Sequence, residues 1–366
     1  MPSVQAQPTP VAATDARVTL VDTDIHPMML GPALKARLSE PWWRRYEDFG
    51  VRVAAPPAIY PRVRNAGYRT DAWPEGGFPG SDLELVRRQL LDEHDVQYGV
   101  LNPLQGQVWG AEAPELAAVL CRALNDWIAE EWLDAEPRLL ASICVPFEHA
   151  DFAVREIERR AGDPRFVQVL LAASTEAPLG NRRYRPIYAA ATEAGLPVAI
   201  HTGGIEQHRG AGWPSYYLEE HVWNGSVMAA GTISMVCEGV FEELPALRVV
   251  LQETGISWGA ATMWALDAAW ERLRPELPDL RGAPSEYFRE RFWFTTQPIE
   301  EPEDPEDLAR AFALMGMGDH LMFATDYPHW DFDSPKQALP RSLSQELRAD
   351  ILAGNACRLY GLPRDG

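Results

Sequence analysis

The stretch VTLVDTDIH, residues 18–26, decides how the rest of the chain is read. Its apolar, β-branched first half suits a strand buried on both faces. It then turns polar at Asp22, Asp24 and His26, which share one parity and so point the same way along an extended strand. Seven later runs have the same character: QYGVLNP (97–103), LLASICVPF (139–147), RFVQVLLA (165–172), LPVAIHTGG (196–204), LRVVLQETG (247–255), RFWFTTQ (291–297) and LMFATDYPH (321–329). Helical patterns lie between most of them, among them 113–133, 149–162, 184–195 and 256–273.

Strand alternating with helix eight times predicts an α/β fold, a closed (β/α)8 TIM-type barrel. The rival, a doubly wound open sheet, would carry GxGxxG after its first strand, and none follows here. Residues 40–82 and 205–224, after the first and fifth strands, break the repeat and are expected to be long loops shaping the mouth. Residues 1–16 read as a disordered N-terminal arm, and 17–366 as a single barrel domain.

The composition narrows the function classes. A net charge of -20, spread along 366 residues, repels phosphate backbones and anionic lipids, so neither nucleic acid nor membrane is an expected partner. No apolar stretch approaches the roughly 20 residues that span a bilayer. The first residues lack the basic and apolar regions of a signal peptide. Cys121, Cys144, Cys237 and Cys357 are scattered through apolar segments, which suits reduced thiols in a cytoplasmic protein.

The informative residues stand where the strands stop. Besides Asp24 and His26 there are His201 after PVAI, Gln252-Glu253, and Thr325-Asp326-Tyr327-Pro328-His329. In a barrel these ends converge on one mouth. Asp24, His26, His201 and Asp326 would there make a mixed nitrogen and oxygen site suited to zinc, manganese or iron. A lone strand-end histidine is more often a hydrogen-bonded core residue than a ligand, so the joint arrangement carries the expectation.

Other residues have two readings each. Glu253 is either a general acid or base beside the metal or a structural carboxylate in the mouth. His329 either contacts substrate or holds the following turn through Asp331 or Asp333. His221 and His208 in the fifth loop either reach the mouth or are simply exposed. Trp223 and Trp330 fall in predicted mouth loops and either line an apolar substrate pocket or pack. Trp127, Trp132, Trp264 and Trp270 sit at helical spacing and suit packing or subunit contacts; a homodimer is expected from the aromatic helices 113–133 and 257–273. His94, His149 and His320 fit structural roles.

The stretches DTDIHP (22–27), AIHTGG (199–204), EELPALRVVLQETGISW (242–258), FTTQPIEEP (294–302) and FATDYPHWDFDSP (323–335) resemble, in this order, the amidohydrolase superfamily. The likeness is to its amidohydrolase-related (amidohydrolase 2) branch, which includes metal-dependent aromatic-acid decarboxylases, and it covers nearly all of the chain outside the arm. It implies metal ligands at Asp24, His26, His201 and Asp326, with Asp326 also orienting or deprotonating a bound water. Two positions depart from the pattern: Asp24 and Glu253 stand where many members have histidine. Two-metal members carry a carbamylated lysine at the fourth strand; here that strand reads FVQVLLAAS and the only lysines are Lys35 and Lys336, so one divalent ion is expected, zinc ahead of manganese or iron.

The leading functional expectation is hydrolysis of a small organic substrate at a C–N or C–O bond, with Asp326 taking the proton of the attacking water and Glu253 shuttling protons. The missing sixth-strand histidine favours it. The alternative is non-oxidative decarboxylation of an aromatic or unsaturated acid. A third reading, a catalytically dead barrel kept as a binding protein, predicts no metal.

Overall fold

Runs of Val, Ile, Leu and Phe cannot leave either face in water, and here they form eight parallel strands in one sheet. The computed structural model describes residues 19–51, 67–204 and 215–364. The strands are β1 Val21–Ile25, β2 Tyr98–Leu101, β3 Leu139–Cys144, β4 Phe166–Ser174, β5 Val198–Gly204, β6 Val249–Gln252, β7 Phe292–Thr295 and β8 Leu321–Met322. Their spatial order is their sequence order, the topology of a (β/α)8 barrel. The register places Val21 beside Tyr98, Ser142 beside Gln168 and His201 beside Gln252.

The run 321–329 reads as one strand, but the ladder keeps only its first two residues. The rest is drawn toward β1. Thr325 N–H turns to the Asp22 carboxylate at 3.0 Å, and Asp326 adopts a left-handed backbone with φ 61°. The seam between β8 and β1 is then closed by Thr23 N–H to Phe323 O (3.1 Å), Asp326 N–H to Asp24 O (3.2 Å), His26 N–H to Tyr327 O (2.8 Å) and a parallel bridge between Ile25 and Tyr327.

Helices cover the sheet. Pro114 opens the helix Pro114–Trp127, which runs on into Ile128–Leu133, and Pro305 opens Pro305–Met315, where Gly316 in the left-handed region ends it. Both stretches read as long loops are partly helical. Residues Glu40–Phe49 form a helix with proline in its first turn, and Trp42, Trp43 and Tyr46 pack against the core at helical spacing. The helix Tyr217–Cys237 lies in the connection between β5 and β6. Residues 52–66 and 205–214, with His208, and the arm at 1–16 lie outside the described residues.

Of packing and subunit contact, Trp127 and Trp132 take packing: they are buried against one another edge to face, within the chain's own core. Trp264 does stand half exposed. The four cysteines are free, three of them buried. Among the described residues no helix is long and apolar enough to cross a membrane.

Candidate metal centre

His26 leaves the end of β1 with its ring fixed from behind, as Nδ1 donates to the Asn102 carbonyl at 2.7 Å. His201, on β5, is fixed the same way by the Thr202 carbonyl at 2.8 Å. With Nδ1 carrying the proton in each ring, both Nε2 atoms present lone pairs to the barrel mouth. They meet carboxylates there. His26 Nε2 lies 2.6 Å from Asp326 Oδ1 and 3.5 Å from Asp24 Oδ1. His201 Nε2 lies 3.1 Å from Glu253 Oε2 and 3.3 Å from Asp24 Oδ2.

Lone pair facing lone pair in a buried site is unfavourable unless positive charge sits between. Burial works against a charged imidazole at His26, yet Asp24 and Asp326 outweigh it and lift its pKa to about 9. His201 is lifted too, by Asp24 and Glu253 against its burial. Burial and the Asp326 charge drive Glu253 well above the usual carboxylate range. Asp326 goes the other way: burial opposes its charge, but His329 and His26 hold it well below that range.

Even so, the acceptors and donors are not matched. Asp24 Oδ2, His201 Nε2 and Asp326 Oδ2 are buried without a hydrogen-bond partner, although Asp24 and His201 approach within 3.3 Å. Buried polar atoms normally find partners. A divalent cation would satisfy such atoms without protonating the imidazoles, so the chemistry of the donor set fits one, although Asp326 falls in a different ligand group from Asp24 and His201. Asp24, His26, His201 and Glu253 offer atoms all within 4.8 Å of one another, and so do His26, Glu253, Asp326 and His329. His26 and Glu253 belong to both groups. The four residues expected as ligands thus meet in one mouth, with Glu253 and His329 drawn in beside them.

Two of these residues hold strained backbone: Glu253 at φ 55° and Asp326 at φ 61° are non-glycine residues in the left-handed region. Glu253 N–H is held by Thr295 Oγ1 at 3.3 Å.

Over the mouth, chain from three places meets. Tyr68 forms an antiparallel bridge with His329, and its ring lies 5.0 Å from that imidazole. Trp330 N–H reaches Gly67 O at 2.9 Å, and its indole N–H donates to the Tyr217 hydroxyl at 3.0 Å. His221 packs against Tyr217 and Trp330, with Nε2 3.3 Å from Asp331 Oδ2, which also accepts from Gln297 at 2.9 Å. Burial, with Asp326 and Glu253 nearby, pushes the Tyr68 phenol up. Trp223 is placed elsewhere, on a cavity of about 710 Å³ between the end of β4 and the helix Tyr217–Cys237, whose lining includes none of the clustered carboxylates or imidazoles.

Two of the histidines read as structural are bonded to backbone carbonyls away from the cluster. His149 Nε2 bonds the Glu112 carbonyl at 2.6 Å, and His320 stacks on Trp293 with Nδ1 3.0 Å from Phe292 O. Tyr68 and Asn102 were not singled out by sequence. Only Asn102 left a signal, as a polar residue ending the apolar run QYGVLNP.

With this geometry in place, the comparison with known proteins is direct: the amidohydrolase family model matches residues 21–362. The chain belongs to the amidohydrolase family. This amidohydrolase is 27% identical over 305 residues to a gamma-resorcylate decarboxylase of Rhodococcus jostii strain RHA1, covering 77% of the present chain and 89% of the relative. In structure it is similar to a dihydroxybenzoic acid decarboxylase from Polaromonas sp. JS666 solved with bound manganese and the inhibitor 2-nitroresorcinol (TM-score 0.66, 20% identity, 95% and 97% of the two chains). It is also similar to a 5-carboxyvanillate decarboxylase from Novosphingobium aromaticivorans, solved with manganese and 4-hydroxy-3-methoxy-5-nitrobenzoic acid (TM-score 0.70, 16% identity, 98% and 100%). At such identities the two structures speak for the barrel fold. This amidohydrolase is an enzyme, and its mouth carries residues that could hold a divalent metal.

Proposed function

We propose that this amidohydrolase is a divalent-metal-dependent decarboxylase of a hydroxylated aromatic acid. The relatives move the weight from hydrolysis, the leading expectation from sequence, to the alternative, since those named above are decarboxylases of such acids. Manganese likewise moves ahead of zinc, because it is the ion found in the two solved structures. The single observation in this chain that supports the reading is the set of buried polar atoms without partners at Asp24, His201 and Asp326.

In this reading Asp24, His26, His201 and Asp326 hold one divalent ion. When bound, that ion supplies positive charge to anchor the oxygens of the substrate's carboxylate and neighbouring hydroxyl. Decarboxylation replaces one ring substituent by another: a proton is added to the carbon that bears the carboxylate, the carbon–carbon bond breaks, and carbon dioxide leaves. Asp326 is placed to deliver that proton. Its Oδ1 is shared by His26 and His329, so a proton can be relayed to it from His329, while Oδ2, without a partner, is left for the ion. His329, whose side chain is 16% exposed, links Asp326 to the mouth and returns a proton after each turnover. Glu253, beside His201, shuttles protons within the site and disfavours a second substrate anion there.

Trp330 and His221, with Tyr68 and Tyr217, form the aromatic wall against which the ring lies. Trp223 is left out of these contacts because of where it stands. The same reading takes residues 17–366 as one domain and the protein as a homodimer, with Trp264 a candidate contact.

The test is carbon dioxide release from manganese-loaded protein offered 2,6-dihydroxybenzoate, 5-carboxyvanillate and related hydroxybenzoates. Release from at least one, abolished in Asp326→Asn, is the expected result. Hydrolysis of an amide or lactone panel with no release from any aromatic acid would return the protein to the hydrolase reading.

A further inference from the structure

A barrel interior is ordinarily filled with Val, Ile and Leu in layers. Here three fully buried polar residues stand beneath the mouth: Asn102 just past β2, Ser142 on β3 and Gln168 on β4. They are bonded to one another and to both ends of the barrel. At the far end Tyr360, the last residue of the helix Asn355–Tyr360, donates its hydroxyl to Gln168 Oε1 at 2.8 Å. Gln168 Nε2 donates to Ser142 Oγ (2.9 Å) and to Asn102 Oδ1 (3.1 Å). The Ser142 hydroxyl donates to the same Asn102 oxygen. Asn102 Nδ2 then donates to Asp24 Oδ1 at 2.8 Å and to Thr23 O at 3.0 Å.

Every donor in this chain points the same way, from the C-terminal helix to Asp24. The polarity matters. With its oxygen occupied by Ser142 and Gln168, the Asn102 amide cannot flip, because flipping would set its NH2 against two donors and its oxygen against a carboxylate. Asn102 therefore always presents NH2 to Asp24 Oδ1, which leaves Asp24 Oδ2 as the unpartnered oxygen facing His201. The backbone carbonyl of the same residue fixes the His26 ring. One residue thus sets two of the proposed ligands.

We infer that Asn102 is a positioning residue for the metal, acting through Asp24, and that Ser142, Gln168 and Tyr360 hold it in its working orientation from the opposite end of the barrel. A network kept only to satisfy itself would need neither a single direction nor a carboxylate at its end. Groups that orient ligands from behind typically carry 10- to 100-fold of metal affinity when removed. The inference rests on Asp24 being a ligand, and the experiment separates the two.

Metal-free protein is titrated with manganese(II), following the signal of the free ion by electron paramagnetic resonance, for wild type, Asp24→Asn, Asn102→Ala, Tyr360→Phe and the Asn102→Ala/Tyr360→Phe pair. Melting temperatures of the metal-free forms are measured alongside. The expected result is the largest loss in Asp24→Asn, a loss of about 10- to 100-fold in Asn102→Ala, and a several-fold loss in Tyr360→Phe. The double variant should bind no more weakly than Asn102→Ala alone, since Tyr360 acts through Asn102. Wild-type affinity in Asn102→Ala and Tyr360→Phe, with loss in Asp24→Asn, overturns the positioning chain and leaves the ligand set standing. Wild-type affinity in Asp24→Asn as well overturns the ligand reading and the chain with it. Should Asn102→Ala fail to fold, Tyr360→Phe, which removes one hydroxyl, decides alone: unchanged affinity there overturns the inference.

Discussion

His329 Nδ1 lies 2.7 Å from Asp326 Oδ1, the oxygen that also faces His26 Nε2 at 2.6 Å, so two imidazoles compete for one oxygen while the other has none. This asymmetry gives the two oxygens of Asp326 different duties. It also explains why an isosteric replacement should be tolerated by the fold and not by the chemistry.

Asp326→Asn keeps the shape and removes the carboxylate through which the proton is relayed. Carbon dioxide release from the best aromatic acid should fall by about 10²- to 10⁴-fold, with metal-free melting unchanged or slightly raised. Steady-state assays beside a melting curve check this, and near-native turnover would remove Asp326 from the proton path.

Glu253 makes the metal-free protein sensitive to pH in a defined direction. Its carboxyl sits well above its ordinary value of 4.5, raised by burial and then by Asp326, so the folded state holds a proton that the unfolded state releases. Between the unfolded and folded values, stability therefore falls as pH rises. Glu253→Gln lacks this dependence, and its melting temperature should decline less than that of wild type from pH 4.5 upward. Parallel curves across a pH series of thermal melts would show that Glu253 is not the group responsible.

The barrel was legible because its strands are buried on both faces and so read as apolar runs, and 139–144 illustrates how closely a run and a strand coincide. β8 was less so, because Thr325 and Asp326 spend their backbone on β1 and a tight turn, which residue type does not announce. The helix Glu40–Phe49 was masked by its Pro and Trp content, which reads as loop until Trp42 and Trp43, four and three residues before Tyr46, are seen packed with it. Asp24, His26, His201 and Asp326 were found because strand ends in a barrel converge. Asn102 and Tyr68 were not, because their importance lies in partners 78 and 261 positions away in the chain, beyond the reach of any local pattern.

Gly80 offers a steric test of the first loop. Its φ is +79°, and a Cβ there would come within 2.2 Å of the His26 carbonyl oxygen. Gly80→Ala should cost about 2–4 kcal/mol and displace the segment after His26. Gly76, at φ +71° with nothing within 4 Å, controls for backbone strain alone, so Gly76→Ala should cost only about 1 kcal/mol. Chemical denaturation of both measures the difference, and equal losses would mean the clash is relieved elsewhere.

Away from the mouth, Glu136 ties two arginines to the far side of the barrel, with Arg87 and Arg138 each 2.9 Å from its carboxylate. Burial alone would raise this carboxyl, but hydrogen bonds from Arg138 and then Arg87 bring it down to about 2 from 4.5. The stability it contributes is present above pH 4.5 and is lost as pH falls toward 2. Glu136→Gln should therefore be less stable than wild type at neutral pH by about 1–2 kcal/mol, with the gap closing in acid. Urea unfolding at about pH 7 and about pH 3 reads both numbers, and a gap independent of pH would point to packing rather than charge.

The seam between β1 and β8 joins residues 300 positions apart, and Asp326 meets His26 only across it. A growing polypeptide emerging from the ribosome therefore carries Asp24, His26 and His201 long before it carries the residue that completes their company. A truncated product therefore has three of the four proposed ligands, an open seam and no finished mouth.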